Sequence, residues 1–552
     1  MNKVFQSNDF KNRIVYQIYP ASFMDSNNDG WGDIRGIISK LDYLKDLGIG
    51  IIWLSPIYES PMDDMGYDIS DYKKINHRFG TMEDFDDLIK EANKRDIRIV
   101  MDLVINHTST EHEWFKKAIE PEKNEYRDYY IIEKGKGKNN KKVPNNWSSA
   151  FSGTCWKEIP SLKGMYYMHL FCDTQADLNY KNENVIKEIE EIIKFWLDKG
   201  VYGFRCDVIN QIYKTTLKND YSKLLFNKGQ KYYCNQKGMF DVLKKIRNDV
   251  LNHYDTFLVG ETSFLTPDIA REFLKTNTLD MFFEFDHIWC DKLKFIPIIK
   301  TKFKAKKLAK PILNWQNQVD WIANYLENHD QLRSVSRYGD DKKYINESAK
   351  MLAIFLLSLK GTPFIYQGEE IGIKNFEQFS SKESDDISAK MVFKTAKSIL
   401  HLKDETIDKM INETLNRDHA RSPMQWNANI NGGFNQGSKT WLKVNPSYQQ
   451  INVENQINDP NSILNFYKKL IRFRNDSEIL KFGETETVKI SNSIVSFKRI
   501  YNDKTYLIIL NFSKKSKKYN KKCDANLLIS NYDTFENGNL YPPYFGGIFE
   551  VK

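Results

Sequence analysis

Eight short apolar segments, separated by amphipathic helical patterns, constrain the fold more than any other feature of the chain. They lie at 14–20 (IVYQIYP), 50–56, 97–107, 202–208, 256–261, 280–285, 324–330 and 362–370. Apolar runs of this length are typical of parallel strands that are buried on both faces. Their alternation with helices predicts an α/β fold, a closed (β/α)8 TIM barrel. A doubly wound open sheet also alternates, but no GxGxxG follows the first segment and no phosphate-binding loop is present.

Two long excursions interrupt this alternation. The third and fourth segments lie further apart than one crossover helix requires, so we expect a small inserted domain at 105–174. The barrel then comprises 1–104 and 175–477, with a second excursion at 372–455 after the eighth strand. From 478 to 552 short alternating patterns predict a C-terminal antiparallel β-sandwich domain.

Composition excludes several other classes of protein. Hydrophobic residues make up 41% and charged residues 28% of the 552, as in ordinary globular domains. The net charge of +8 is a small surplus of 81 basic over 73 acidic residues, so no nucleic-acid partner is expected. Six scattered cysteines without a CxxC pair predict neither a zinc site nor a disulfide framework. Without an apolar leader or a membrane-spanning segment, we expect a cytoplasmic monomer that contacts no membrane and needs no organic cofactor.

Charged residues stand at the carboxyl ends of the predicted strands, where the active sites of such barrels lie. They are Asp102 and His107 on the third strand, Arg205 and Asp207 on the fourth, Glu261 on the fifth, and His329 and Asp330 on the seventh. A single acid at a strand end is often a helix cap or half of a structural ion pair. Several acids at one mouth are costly to bury unless function requires them. The pattern indicates glycoside hydrolysis by paired carboxylates.

Arg205 and Asp207 stand two residues apart, so their side chains share one face of a strand. We expect Arg205 to keep Asp207 ionised and thereby to distinguish it, as the nucleophile, from the proton donor. A covalent glycosyl intermediate and retention of configuration follow if the nucleophile and the acid lie about 5–5.5 Å apart.

Four segments resemble, in order, the signature regions of the α-amylase family, glycoside hydrolase family 13. They are DLVINH (102–107), GFRCD (203–207), VGE (259–261) and ENHD (327–330). The resemblance implies that Asp207 is the nucleophile, that Glu261 is the acid/base, and that Asp330 is a third carboxylate stabilising the transition state. It also implies that three further residues bind the sugar, namely His107, Arg205 and His329.

Three other segments resemble the oligo-1,6-glucosidase branch of that family: GYDISDY (66–72), FSGTCW (151–156) and RDHARSPMQW (417–426). The resemblance implies that Asp68 and Arg421 hold the terminal glucose, that Tyr67 stacks beneath it, and that Phe151 forms a wall. For the two aromatic residues the alternative is an ordinary place in the core.

The segment DSNNDGWGD (25–33) places oxygen ligands at alternating positions around a glycine, as a calcium loop does, although it lacks the final glutamate of an EF-hand. In the branch that it resembles, this loop binds a structural divalent ion through Asp25, Asn27, Asp29, the carbonyl of Trp31, and Asp33. Structural Ca²⁺ is therefore expected. The alternative is a turn rich in Asx residues.

Val208 follows the expected nucleophile, as in members of the branch that act on α-1,6 bonds. The resemblance thus implies a retaining, exo-acting α-glucosidase that removes terminal α-1,6-linked glucose, and also α-1,4-linked glucose, from short oligosaccharides such as isomaltose. The exo action follows from Asp68 and Arg421, which are expected to close the pocket.

Three alternatives stay open. The wording TQADLN (174–179) is similar to that of trehalose-6-phosphate hydrolases, in which case Lys214, Lys218 and Lys231 would be candidates to meet the phosphate. Sucrose isomerisation or transglucosylation would use the same residues and differ in how water is excluded. A catalytically silent barrel acting as a binding module is the alternative of another class, and such proteins lose catalytic carboxylates or carry a membrane anchor.

Overall fold

The computed structural model describes residues 8–151, 153–222, 227–293, 296–376, 380, 383–520, 523–535 and 538–552. Eight parallel strands close into a barrel: β1 (Val15–Ile18), β2 (Ile51–Leu54), β3 (Arg98–Leu103), β4 (Gly203–Cys206), β5 (Phe257–Glu261), β6 (Met281–Phe283), β7 (Ala323–Asn324) and β8 (Thr362–Tyr366). Each strand pairs with its neighbours in chain order, and β1 closes the barrel by pairing with both β2 and β8. The predicted TIM barrel is confirmed.

Period-two alternation along the strands fills the barrel interior. Inward-facing apolar residues from different strands, including Val15, Ile51, Val100 and Met281, form one buried cluster. Side chains two residues apart share a face, so the next inward positions toward the carboxyl ends continue the same column. On β1 and β3 those positions carry the polar residues Gln17 and Asp102, whereas on β2 and β6 the apolar filling continues with Trp53 and Phe283.

Helices connect the strands and surround the barrel, as the alternating pattern predicts. Thr81 caps the helix Met82–Lys94 in a reciprocal capping box with Asp84, and the helix buries its apolar stripe against the barrel. Asn182 caps Glu183–Asp198 by a single bond, since its side chain accepts from the backbone N–H of Asn184. The remaining α-helices are Ile34–Ser39, Leu41–Leu47, Glu113–Ala118, Lys237–Asp249, Pro267–Lys275, Ala305–Gln316, Ser334–Tyr338, Ile345–Leu357, Ile387–Leu400, Asp404–Asn412, Asp418–Arg421, Val453–Ile457, Ile463–Asn475 and Glu478–Phe482.

The excursion after β3 leaves and returns through a two-stranded antiparallel pair, His107–Ser109 with Gln175–Asp177. Between them lies a three-stranded antiparallel sheet of Ile132–Lys134, Met165–Met168 and Trp156–Glu158, in that spatial order. This region has its own buried cluster around Trp147 and Trp156. It therefore forms a wall beside the carboxyl end of the barrel.

Five antiparallel strands form the C-terminal sheet: β9 (Glu484–Ile490), β10 (Ile494–Tyr501), β11 (Lys504–Asn511), β12 (Ala525–Ser530) and β13 (Gly546–Val551), in the spatial order β9-β10-β11-β13-β12. A second pair, Lys517–Lys518 with Leu540–Tyr541, packs over one face through Tyr519 and Tyr541. The predicted antiparallel C-terminal domain is confirmed. The residue bounds predicted for the domains stay predictions.

None of the helices in the described ranges combines the length and the apolar character that crossing a bilayer requires.

Candidate active site

Three neighbouring strands carry the acids that the sequence singles out. Along β3 the inward column runs from Val100 to Asp102, and along β4 it reaches Arg205. Residue 207 follows two positions later, and Glu261 ends β5 beside it. Because adjacent parallel strands present their carboxyl ends at one rim, these side chains converge on a single mouth.

The guanidinium of Arg205 joins three carboxyl groups. Its Nη1 donates to Oδ1 of Asp102 at 2.6 Å and to Oδ1 of Asp207 at 2.7 Å, and its Nη2 donates to Oε2 of Glu261 at 2.6 Å. Arg205 is buried and also lies over the ring of Trp53, 5.2 Å from the centroid. The sequence argument that Arg205 singles out Asp207 is therefore wrong, because the same cation holds Glu261 as closely. Arg205 fixes the spacing of the two acids rather than their roles.

Burial dominates the electrostatics of the three acids. It raises the pKa of Asp207 to about 7 although Arg205 opposes the change. Burial also raises the pKa of Glu261 to about 7, again against Arg205, with the charge of Asp207 adding to the rise. The pKa of Asp102 rises to about 6 for the same reason. Because the two acids share the guanidinium of Arg205 and the charge of Asp207 raises the pKa of Glu261, the pair can hold one proton near neutral pH.

Asp330 has the opposite character. Burial raises its pKa, but His329, Arg417 and Arg421 outweigh that effect and hold it well below the usual range. Oδ1 of Asp330 accepts from Arg421 at 2.8 Å and from Arg417 at 3.2 Å, and Oδ2 lies 3.1 Å from Nε2 of His329. The mouth thus contains one carboxylate fixed as an anion and two acids that titrate near neutrality.

A hydrogen-bonded chain links His329 to the acids. The amide of Gln17 donates to Nδ1 of His329 at 2.7 Å, so the proton of the neutral ring sits on Nε2. Nε2 lies 2.8 Å from the hydroxyl of Tyr67, which donates to Oδ2 of Asp102 at 3.0 Å. The rings of Tyr67 and His329 are parallel, with centroids 5.4 Å apart. Tyr67 therefore reaches the site through its hydroxyl, while its ring also belongs to the main buried cluster.

His107 and Phe151 border the same mouth. Nε2 of His107 donates to the carbonyl of Tyr67 at 3.0 Å, and burial lowers the pKa of His107 and keeps its ring neutral. The ring of Phe151 lies 6.0 Å from the guanidinium carbon of Arg417 and meets Phe171 edge-on. Phe171 in turn contacts His107, so the inserted region reaches the site through these rings.

Asp68 does not join the other predicted residues. It is fully buried, and its carboxylate accepts hydrogen bonds from the hydroxyl of Ser60 and from the N–H groups of Asp63 and Asp64. These hydrogen bonds all lie inside its own loop, so the geometry gives no support to the prediction that Asp68 holds the terminal glucose. The neighbouring acid Asp64, by contrast, faces Arg417.

Asp64 and Arg417 are the residues that sequence reasoning missed. Oδ1 of Asp64 lies 3.5 Å from Nη2 of Arg417, and Oδ2 accepts from Gln175 at 3.2 Å. Arg417 also bonds Asp330 and, at 2.7 Å, Asp386. The signal for Arg417 was present, since it opens the same segment as Arg421.

The loop predicted to bind calcium is closed by its own hydrogen bonds. Oδ1 of Asp25 accepts the N–H groups of Asn27 and Asn28, and Oδ2 accepts Gly30 N–H and the amide of Asn435. Asp33 is committed to Ser26 and to capping the helix that follows. The two remaining predicted side chains serve as acceptors in turns: Asn27 for the N–H of Asp29, and Asp29 for the N–H of Trp31.

The oxygen-rich donor set suits Ca²⁺ in chemistry but not in arrangement. Within the described residues no three His, Cys, Asp or Glu side chains gather as metal ligands. The calcium site therefore stays a prediction.

The lysines considered for a phosphate are engaged elsewhere. Lys214 is buried and bonded to Asp177 at 2.6 Å and to Asn106 at 2.8 Å. Lys231 pairs with Asp220 at 3.0 Å, while Lys218 contributes its carbonyl to Trp147. A phosphate dianion would therefore have to compete with the carboxylates that Lys214 and Lys231 already pair with.

Comparison with known proteins places this geometry in a family. The model for the α-amylase catalytic domain matches residues 17–483. The chain is 44% identical to an oligo-1,6-glucosidase of Parageobacillus thermoglucosidasius over 96% of each chain. It superposes on the crystal structure of a trehalose-6-phosphate hydrolase of Bacillus licheniformis with a TM-score of 0.92, at 39% identity over 98% of this chain and 100% of that one. An isomaltulose synthase of Klebsiella sp. LX3 gives a TM-score of 0.93 at 34% identity, over 98% and 99% of the two chains. The chain belongs to the α-amylase family of glycoside hydrolases, on the strength of both its sequence match and its barrel with converging carboxyl groups.

Proposed function

We propose that this chain is a retaining, exo-acting α-glucosidase that releases terminal α-1,6-linked glucose from short oligosaccharides such as isomaltose, and also cleaves α-1,4 bonds. The observation that carries the proposal is the single guanidinium that holds Asp207 and Glu261, within 2.7 Å and 2.6 Å of its two terminal nitrogens. Two carboxyls held by the two terminal nitrogens of one guanidinium are close together, as in a retaining enzyme, whereas an inverting enzyme separates its acids to admit a water.

The chemistry follows from the protonation states. Asp207 attacks the anomeric carbon as the carboxylate while Glu261, protonated, donates to the leaving oxygen. Glu261 then deprotonates the water that releases glucose from the glucosyl ester on Asp207. A pKa of about 7 suits Glu261 for both tasks at neutral pH. Asp330, held as an anion, stabilises the positive charge that develops on the sugar ring.

The ion network behind Asp330 supports exo action. Arg417 is shared by Asp64, Asp330 and Asp386, and Arg421 is buried against Asp330. These side chains close one end of the pocket with charged groups that can bond the hydroxyls of a terminal sugar. A longer glucan chain could not extend past these side chains.

The first experiment compares hydrolysis of isomaltose, maltose and trehalose-6-phosphate by the wild type, with Asp207→Asn as the control that abolishes turnover. Preference for isomaltose is expected, and the name of the 44% identical relative supports it. Trehalose-6-phosphate is the second candidate, favoured by TQADLN and by the likeness to the Bacillus hydrolase. If the wild type cleaves none of the three substrates, the catalytically silent barrel that acts as a binding module becomes the better hypothesis.

Azide separates the roles of the two acids, which Arg205 leaves undistinguished. With α-glucosyl fluoride as donor, Asp207→Gly is expected to give β-glucosyl azide, because azide replaces the missing nucleophile. Glu261→Ala is expected to give α-glucosyl azide, because azide attacks the glucosyl–Asp207 ester without a base. Exchanged products would reverse the assignment.

A further inference from the structure

Phe264 is an exposed aromatic residue three positions after Glu261. Its side chain is 45% exposed, and it belongs to none of the hydrophobic clusters formed by the described residues. A phenylalanine held in water with no core to join stabilises the free protein little. Its place on the loop that leaves the carboxyl end of β5, directly after Glu261, therefore calls for a reason outside the folding of the loop.

The backbone at Phe264 is held in a conformation that bulky residues avoid. Its φ is +56°, in the left-handed region. Asn210 donates its amide to the carbonyl of Ser263 at 2.6 Å, and Asn235 donates to the carbonyl of Phe264 at 3.1 Å. The two amides also bond each other, at 3.0 Å. Such over-determined strain persists where surrounding structure imposes it and clusters at ligand-binding positions.

The hydrogen bonds of Asn210 and Asn235 join the loop that carries Phe264 to the loop that follows Asp207. Asn210 stands three residues after Asp207, and Phe264 stands three residues after Glu261, on the loops that leave the ends of β4 and β5. The sugar that is to be released is held on the other side, by Asp330 and its arginines. The general acid meets the oxygen of the leaving group, so the loop that follows it borders the leaving group.

From this placement we infer that Phe264 is a specificity-determining residue, the stacking platform for the leaving-group sugar. The inference rests on the proposed function. The apolar C–H face of a glucose unit covers an aromatic ring, and an α-1,6 bond adds a rotatable carbon that allows the leaving glucose to lie flat on it. The ligand class is a glucosyl leaving group of one or two residues.

The test compares donors with and without a leaving-group sugar. Phe264→Gly removes the ring and suits the left-handed backbone, so it folds without strain, whereas Phe264→Trp keeps an aromatic face. For isomaltose and isomaltotriose, Phe264→Gly is expected to lower kcat/KM by about 3- to 10-fold, the range of one aromatic contact. With α-glucosyl fluoride, which has no leaving-group sugar, it should match the wild type. Leu540→Ala, at an exposed position of the C-terminal domain, is the control for all donors.

Rescue of the oligosaccharide rates by Phe264→Trp, with unchanged fluoride turnover, supports the platform. Equal losses on all three donors would overturn it, since Phe264 would then act by placing Glu261. Unchanged rates on isomaltotriose would overturn it as well. A wild type inert toward α-glucosyl fluoride, by contrast, would remove the proposed function itself, and the inference with it.

Discussion

At the scale of single residues, the site shows how one cation organises several acids. Arg205 does not distinguish between the acids, since its terminal nitrogens lie within 2.7 Å of oxygens of Asp102, Asp207 and Glu261. Burying three carboxyl groups without a counter-ion would cost a prohibitive free energy, and the shared guanidinium lowers that cost. The different roles proposed for Asp207 and Glu261 must then come from the substrate, which presents its anomeric carbon to Asp207 and its leaving oxygen to Glu261.

Asp64 and Asp68 are expected to differ when each is changed to asparagine. Asp64 shares Arg417 with Asp330, so Asp64→Asn should raise KM for isomaltose by about 10-fold, the loss of one charge-assisted hydrogen bond. Asp68 accepts only from its own loop, so Asp68→Asn should lower Tm by roughly 2–4 °C and change KM less than about 3-fold. Steady-state kinetics and thermal melts of both variants check this. A large KM effect confined to Asp68→Asn would restore the sequence prediction.

The exchange of these two acids shows why the sequence could not resolve the loop. Met62 and Met65 both have positive φ, 71° and 52°, and turn the chain twice within a few residues. Nothing in a methionine predicts a left-handed backbone. Which acid faces Arg417 therefore depends on tertiary contacts, although the presence of an acid near Tyr67 was predictable from the segment.

At the scale of elements, strands were predictable and their ends were not. All eight apolar segments lie in the barrel, because burial on both faces demands continuous apolar runs. The seventh strand contains only Ala323–Asn324, whereas 324–330 was predicted, since the polar residues after it serve the site. The third strand ends at Leu103, and His107–Ser109 pairs instead with the returning Gln175–Asp177.

The short 3-10 turn Glu369–Ile371 after β8 contains a buried acid that predicts a pH dependence of stability. Burial and the charge of Glu327 raise the pKa of Glu369 well above its usual range. Its oxygens accept only from the N–H of Tyr366 and the hydroxyl of Tyr467, both at 3.2 Å. The folded state therefore binds a proton that the unfolded chain releases. Stability from this group is complete below the unfolded pKa and is lost as pH rises toward the folded value.

Glu369→Gln removes this titration while keeping the shape. Its Tm relative to that of the wild type is expected to rise between pH 5 and pH 8, as the wild type loses up to about 1.4 kcal/mol per pH unit. Thermal melts across that range measure the difference. Glu486→Gln, on the exposed strand β9, provides the matched control and should show no such slope. A Tm difference that stays constant or falls with pH would contradict a protonated Glu369.

At the scale of the whole molecule, the barrel and the C-terminal sheet share one core. Val495, Ile508 and Ile548 belong to the same buried cluster as the helices around the barrel. A Cβ on Gly546 would meet Ile354 and the backbone of Met351 at 3.0–3.1 Å, so the sheet packs tightly on the helix Ile345–Leu357. The C-terminal domain is thus expected to unfold together with the barrel.

Arg499 on β10 is the buried link through which that expectation can be tested. Its guanidinium bonds the carbonyls of Ser358, Leu480 and Gly483, and among the described residues no carboxylate forms an ion pair with it. Burial holds its pKa well below the usual range. Arg499→Met leaves these carbonyls unpaired, which costs roughly 1–3 kcal/mol for each that stays buried. All 11 tryptophans precede residue 484, so tryptophan fluorescence reports unfolding outside the C-terminal sheet.

The Tm followed by tryptophan fluorescence is expected to fall by at least about 3 °C in Arg499→Met. Lys498→Met, one position along the same strand, removes only an amine that pairs with the exposed Glu486 at 3.4 Å and should leave the Tm unchanged. Loss of activity on heating should follow the fluorescence in both variants, since one cooperative unit carries the site and the sheet. The opposite result would be a fluorescence melt of Arg499→Met that matches the wild type while far-UV circular dichroism shows an earlier loss of strand signal. In that case the C-terminal sheet unfolds by itself, and the shared core does not couple it to the barrel.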